Sequence, residues 1–74
     1  RFGEESMKIS ARNALKGRIV EVTKGATTSL VKIDIGGAVV TASITDTSVD
    51  ELGLAPGKDA YAVIKASDVM IGID

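Results

Sequence analysis

The stretch Ser29–Thr45, Ser-Leu-Val-Lys-Ile-Asp-Ile-Gly-Gly-Ala-Val-Val-Thr-Ala-Ser-Ile-Thr, decides the fold of this chain. Val31, Ile33 and Ile35 alternate with Lys32 and Asp34, the period of a strand with one apolar face. Gly36-Gly37 then supplies the positive backbone angles that a two-residue hairpin needs. Val40, Ala42 and Ile44 form one face of the return strand, and Thr41, Ser43 and Thr45 line the other. Two paired strands with one dry face need further strands to close over it.

Those strands are found on either side. Leu15–Thr23 is rich in β-branched residues, with Ile19 on one face and Val20 and Val22 on the other. Apolar side chains on both faces suit a strand covered from both sides. Lys24-Gly25 ends it, and Ala26–Thr28 reads as a loop. Lys8–Ser10 reads as a short extension of the same strand. After Thr45 the period changes: Val49 and Leu52 lie three apart with Asp50 and Glu51 outward. This predicts one or two turns of helix, capped by Asp46 or Thr47 and ended by Gly53. Ala55-Pro56-Gly57-Lys58 reads as a turn. Tyr61–Lys65 and Val69–Ile73 are the last two strands, joined tightly through Ala66-Ser67-Asp68. The predicted fold is all-β, a five-stranded OB-type Greek-key barrel with one short helix between strands 3 and 4. A small β-sandwich is the alternative.

The chain has 74 residues, enough for one small domain, and no repeat or linker divides it. Residues 1–6 are polar and aperiodic and precede Met7, so they read as an added remnant or a mobile leader, with the domain spanning 7–74. Apolar residues make up 45% but aromatics only 3%, so the core is built from small branched side chains. A core of this size is marginal alone, which points to a homo-oligomer. Cysteine and histidine are both absent. Disulfides and Cys/His metal centres are thereby excluded, and the chain suits a reducing cytoplasm. No apolar run approaches the roughly 20 residues of a membrane span.

The net charge of −1 argues against a broad nucleic-acid surface. Tyr61 is the one aromatic on a predicted strand, and one ring is no stacking platform. The acidic residues lack calcium-loop spacing. Nucleophilic catalysis has no histidine base, and Lys65 with Ser67 two residues on is too common a coincidence to carry it. What remains is a set of hydrogen-bond donors at strand ends. Ile9–Gly17 opens with Ser10, Arg12, Asn13 and Lys16. Thr45, Thr47 and Ser48 flank the helix start, and Lys65–Ser67 follow the fourth strand. Donor-rich strand ends suit an anion. On spacing alone a solvated strand entry, ordinary caps and surface charges are the better reading of them.

The opening Ser10-Ala11-Arg12-Asn13 with Leu15-Lys16-Gly17, then Ile44-Thr45 with Ser48, Glu51-Leu52-Gly53, Pro56-Gly57-Lys58 and Lys65-Ala66-Ser67-Asp68-Val69-Met70-Ile71 resemble the molbindins. These are the small molybdenum-pterin-binding-like (Mop) proteins built from a single TOBE domain. The resemblance runs from about Met7 to Ile73. It implies an OB-type barrel, a homohexamer built as a trimer of dimers, and molybdate or tungstate bound between subunits. It implies intracellular oxyanion storage or homeostasis without catalysis; with the charge and hydropathy above, the expected protein is cytoplasmic and has no organic cofactor, nucleic-acid or membrane partner. A regulatory module acting in trans on a molybdate transporter or regulator is the second role that TOBE domains suggest. Carried over by position, the oxyanion site falls on Ser10, Arg12, Thr45, Ser48, Lys65, Ala66 and Ser67. Ala66 stands where some relatives carry serine, so only its backbone N–H remains as a donor. Asp46 and Asp68 are the acidic neighbours whose direction matters, because an all-donor pocket tolerates no carboxylate inside it.

Overall fold

A computed structural model describes residues 12–74. The elements run β1 (Asn13–Lys24), β2 (Thr28–Asp34), β3 (Val39–Thr45), α1 (Asp46–Leu52), β4 (Asp59–Ile64) and a 3-10 turn, η1 (Ala66–Asp68). Ser10, the strand extension at Lys8–Ser10 and the leader at 1–6 lie outside the described residues.

The four strands form one antiparallel sheet in the order β3-β2-β1-β4, curled into a half-barrel. β1 is long enough to serve two neighbours. Its first half pairs with β4, from Asn13 opposite Ile64 to Arg18 opposite Asp59. Its second half pairs with β2, from Arg18 opposite Asp34 to Lys24 opposite Ser29. β2 then pairs with β3 as the alternation requires, from Thr28 opposite Thr45 to Asp34 opposite Val39. The Gly36-Gly37 hairpin closes through Ile35 N–H to the Ala38 carbonyl at 2.9 Å, with both glycines at positive φ. The Asp34 carboxylate accepts from the Gly36 N–H at 2.8 Å, an Asx contact that fixes the turn.

Two expectations change at particular residues. Ile19 faces Ile33 and Val22 faces Val31, so the ladder skips one residue at Val20. This β-bulge turns Val22 onto the same face as Ile19, where it packs on the core. Val20 is left 47% exposed on the outside. Strict alternation places Val20 and Val22 together opposite Ile19, and the bulge is what separates them. The helix cap is Thr45, one residue earlier than expected, because its side chain already lies in extended backbone and accepts from the Ser48 N–H at 3.0 Å. Gly53 ends the helix as expected, with left-handed φ of 65° and its N–H on the Asp50 and Val49 carbonyls.

The core is Ile19, Val31, Ile33, Val49 and Ala62, on the concave side of the sheet under α1. Ser29 is buried beside it, and its hydroxyl donates to the Asp46 carboxylate, which ties the start of α1 to β2. The Ala55–Lys58 turn seats on β1 through Ile19 N–H to the Lys58 carbonyl at 2.9 Å and Gly57 N–H to the Ile19 carbonyl at 2.8 Å.

The fifth strand does not form within the single chain. Among the described residues the sheet has four strands, and the segment after η1 leaves the body. Val69 is extended but unladdered, and Met70, Ile71 and Ile73 are 93%, 92% and 93% exposed. The connection is the reason: Asp68 N–H closes on the Lys65 carbonyl and Val69 N–H on the Ala66 carbonyl, two 3-10 turns that direct the chain away from β4.

Gly17 shows how closely the two ladders of β1 are packed. A Cβ there would collide with the Asp34 carbonyl oxygen and come within 2.8 Å of the Ile33 Cγ2. The Gly17→Ala variant is expected to lose about 1–3 kcal/mol of stability. Urea unfolding followed by far-ultraviolet circular dichroism measures it, and an unchanged midpoint would contradict this packing.

Candidate functional site

Two ends of β1 carry the donors. At its start, Asn13 and Ile64 are the terminal pair of the β1–β4 ladder. Asn13 Nδ2 donates to the Ile64 carbonyl at 3.3 Å, which pins the two strand ends together. Arg12 immediately precedes this pair and Lys65 immediately follows it, so both cations leave the sheet at the same corner. Both are exposed. Among the described residues, no carboxylate pairs with either one. Ala66 and Ser67 extend this corner as the first residues of η1, where opening amides of a helical turn lack partners within the turn.

At the far end of β1, Lys24 pairs with Ser29, and the next β2 residue, Thr28, pairs with Thr45. Here Thr45 Oγ1 and Ser48 Oγ lie 2.8 Å apart, both at the start of α1. Lys24 Nζ reaches the Asp50 carboxylate at 2.6 Å and holds α1 to this end of the sheet. That hydrogen bond is the main reason the Lys24 ammonium titrates above its ordinary value; burial opposes it, and the charges of Asp50 and Asp46 add to it. A raised lysine stabilises the fold in full at neutral pH and loses that contribution only as alkaline pH deprotonates it.

The structure therefore brings together Arg12, Lys65, Ala66 and Ser67, and separately Thr45 and Ser48. It does not bring the two groups together. The twelve residues of β1 lie between them, about 36 Å of extended chain at about 3.3 Å per step. The whole domain measures 37 × 33 × 22 Å. Ser10 lies outside the described residues. No described group of His, Cys, Asp and Glu suits a metal cation.

Asp46 does not compete with the donors. Its carboxylate is taken by Ser29, on the core side of α1, while Thr45 and Ser48 face solvent at the cap. This pairing carries no signal in the sequence beyond Ser29 sharing a strand face with Val31 and Ile33. Asp68 is exposed and follows Ser67 directly, so the all-donor character of the corner stops there.

A fold with this geometry has relatives. The TOBE domain family model matches residues 9–71. The chain belongs to the TOBE domain family. Within that family its likeness is to the molybdenum-pterin-binding (Mop) proteins. A probable molybdenum-pterin-binding protein of Haemophilus influenzae is 49% identical over 69 residues, covering 92% of this chain and all of that protein. The solved molybdate-binding protein of Sporomusa ovata superposes with a TM-score of 0.85 at 36% identity, covering 90% of this chain and all of that one. The cytoplasmic molybdate-binding protein ModG, solved with molybdate bound, superposes with a TM-score of 0.87 at 39% identity, covering 95% of this chain and 50% of that one.

Thr45 has a structural duty that is independent of any ligand. Thr45→Ala removes the helix cap and is expected to cost about 0.5–2 kcal/mol with no anion present. Chemical denaturation in anion-free buffer measures it, and a variant as stable as the parent would contradict the cap.

Proposed function

We propose that this chain binds molybdate or tungstate at sites shared between copies of itself, and that it serves storage or homeostasis of the oxyanion inside the cell. The observation that carries the reading is the β1–β4 corner, where Arg12 and Lys65 emerge side by side with no carboxylate among the described residues paired to them. The kinship with molybdenum-pterin-binding proteins over nearly the whole chain supports the choice of ligand.

The chemistry follows from the donor set. Molybdate is a tetrahedral dianion whose four oxygens only accept. A guanidinium fork at Arg12 and an ammonium at Lys65 offset its two charges, and Ser10, Ser67, the Ala66 amide and the hydroxyls of Thr45 and Ser48 supply further donors. Phosphate keeps a proton at neutral pH. In an all-donor pocket that proton is left unpaired, at about 1–3 kcal/mol. Sulfate carries no proton, so its exclusion rests on size. The corner at Arg12 and Lys65 and the cap at Thr45 and Ser48 lie at opposite ends of β1, so a site using both takes them from different copies. Assembly as a hexamer, a trimer of dimers, provides such contacts. The reading is of a binding protein, and no catalytic step is assigned to any residue.

Calorimetric titration of oxyanion-free protein tests it. Molybdate and tungstate are expected to give saturable heat, and phosphate little competition. Arg12→Ala is expected to weaken binding about 10- to 100-fold, the range for one charge-assisted hydrogen-bonding group. No heat from either oxyanion would remove the reading.

A further inference from the structure

Most carboxylates of the sheet and of α1 have a partner among the described residues. Glu21 accepts from Thr23 and faces Lys32. Asp34 holds the Gly36 amide, and Asp46 holds Ser29. Asp50 takes Lys24, and Asp59 faces Arg18. Asp68 differs. Among the described residues no hydrogen bond or ion pair ends on its exposed carboxylate, although Arg12 and Lys65 leave the sheet unpaired at the corner that η1 extends. The backbone does not hold it away from them. Its N–H closes on the Lys65 carbonyl at 2.9 Å. A four-residue turn closed in this way keeps its two end Cα atoms within about 7 Å of each other.

The charges at this corner give the carboxylate its consequence. Arg12 and Lys65 match the two charges of a tetrahedral dianion, and Asp68 cancels one of them. We infer that Asp68 sets how readily the site releases its oxyanion: its carboxylate stands beside Lys65 outside the donor set, repels the bound dianion and competes for the lysine as the dianion leaves. The inference rests on the oxyanion reading above and concerns the regulation of that same site. A protein that stores an anion must also give it up. A like charge at the rim speeds release without removing a donor from the pocket, so the preference for proton-free oxyanions is left intact. The effect is one of charge alone and falls equally on molybdate and tungstate. One unit charge acting on a dianion across about 6–10 Å of water-rich surroundings changes an equilibrium about 3- to 10-fold at low salt.

A charge series at this one position tests it, by calorimetric titration of oxyanion-free parent, Asp68→Asn and Asp68→Lys with molybdate and with tungstate. The dissociation constant is expected to fall about 3- to 10-fold in Asp68→Asn and by a similar factor again in Asp68→Lys, alike for both oxyanions. Asp68→Glu, which keeps the charge, is expected to bind as the parent does. The gains are expected to shrink as salt rises from about 0.01 M to about 1 M, where the screening length falls from about 30 Å to about 3 Å. A parent that binds while Asp68→Asn binds equally or more weakly would overturn the inference and leave the oxyanion reading standing. So would a gain that is undiminished at high salt, or one confined to a single oxyanion. A parent that takes up neither oxyanion would remove both. If Asp68→Asn does not fold, Asp68→Ser removes the same charge and carries the same expectation.

Discussion

One strand holds two ladders, and the rest of the molecule depends on it. β1 gives its first half to β4 and its second half to β2, with Arg18 facing both Asp59 and Asp34 at the changeover. Its two neighbours are thereby staggered along it, and the sheet curls into a half-barrel about this strand. The curl is made by the bulge at Val20 and by Gly17, where two backbones approach too closely for any side chain. The curl in turn creates the concave face on which Ile19, Val22, Val31 and Ile33 meet under α1.

The same arrangement separates the polar groups. Arg12 and Lys65 emerge where β1 and β4 begin and end together; Thr45 and Ser48 emerge at the other end, where α1 is held by Lys24 and by the buried Ser29–Asp46 pair. The length of β1 lies between the two sets. The open side between β3 and β4 and the apolar tail that leaves η1 are the counterpart of this in packing. In the single chain the two donor sets stand at opposite ends of β1 and the apolar tail stays exposed.

Much of the fold was legible because local chemistry and tertiary packing agree. The Ser29–Thr45 alternation, the Gly36-Gly37 turn, the Gly53 stop and the Pro56-Gly57 turn are each required by backbone angles that few other residues adopt. The face of Val22 is not legible, because a bulge changes the face of every residue after it and nothing local to Val20 announces one. Thr45 hides its role as the cap because it also ends a strand, and the two roles meet at one residue. The tail reads as a strand from its alternation, but alternation does not provide a ladder partner, and none pairs with it among the described residues. Arg12 and Lys65 drew attention through the motif around them; that they leave the sheet at one corner follows from the Asn13–Ile64 pairing, which sequence spacing does not contain. The Ser29–Asp46 pair was invisible, being a contact between residues 17 apart with no pattern linking them.

The central claim is that the oxyanion is held by groups from more than one copy, with the Arg12–Lys65 corner as its cationic side. The most direct measurement is the anomalous scattering of tungsten in crystals grown with tungstate. A peak is expected within hydrogen-bonding distance of the Arg12 guanidinium and the Lys65 ammonium, with at least one further donor from a neighbouring copy. A peak held by a single chain, or one remote from both cations, would contradict it.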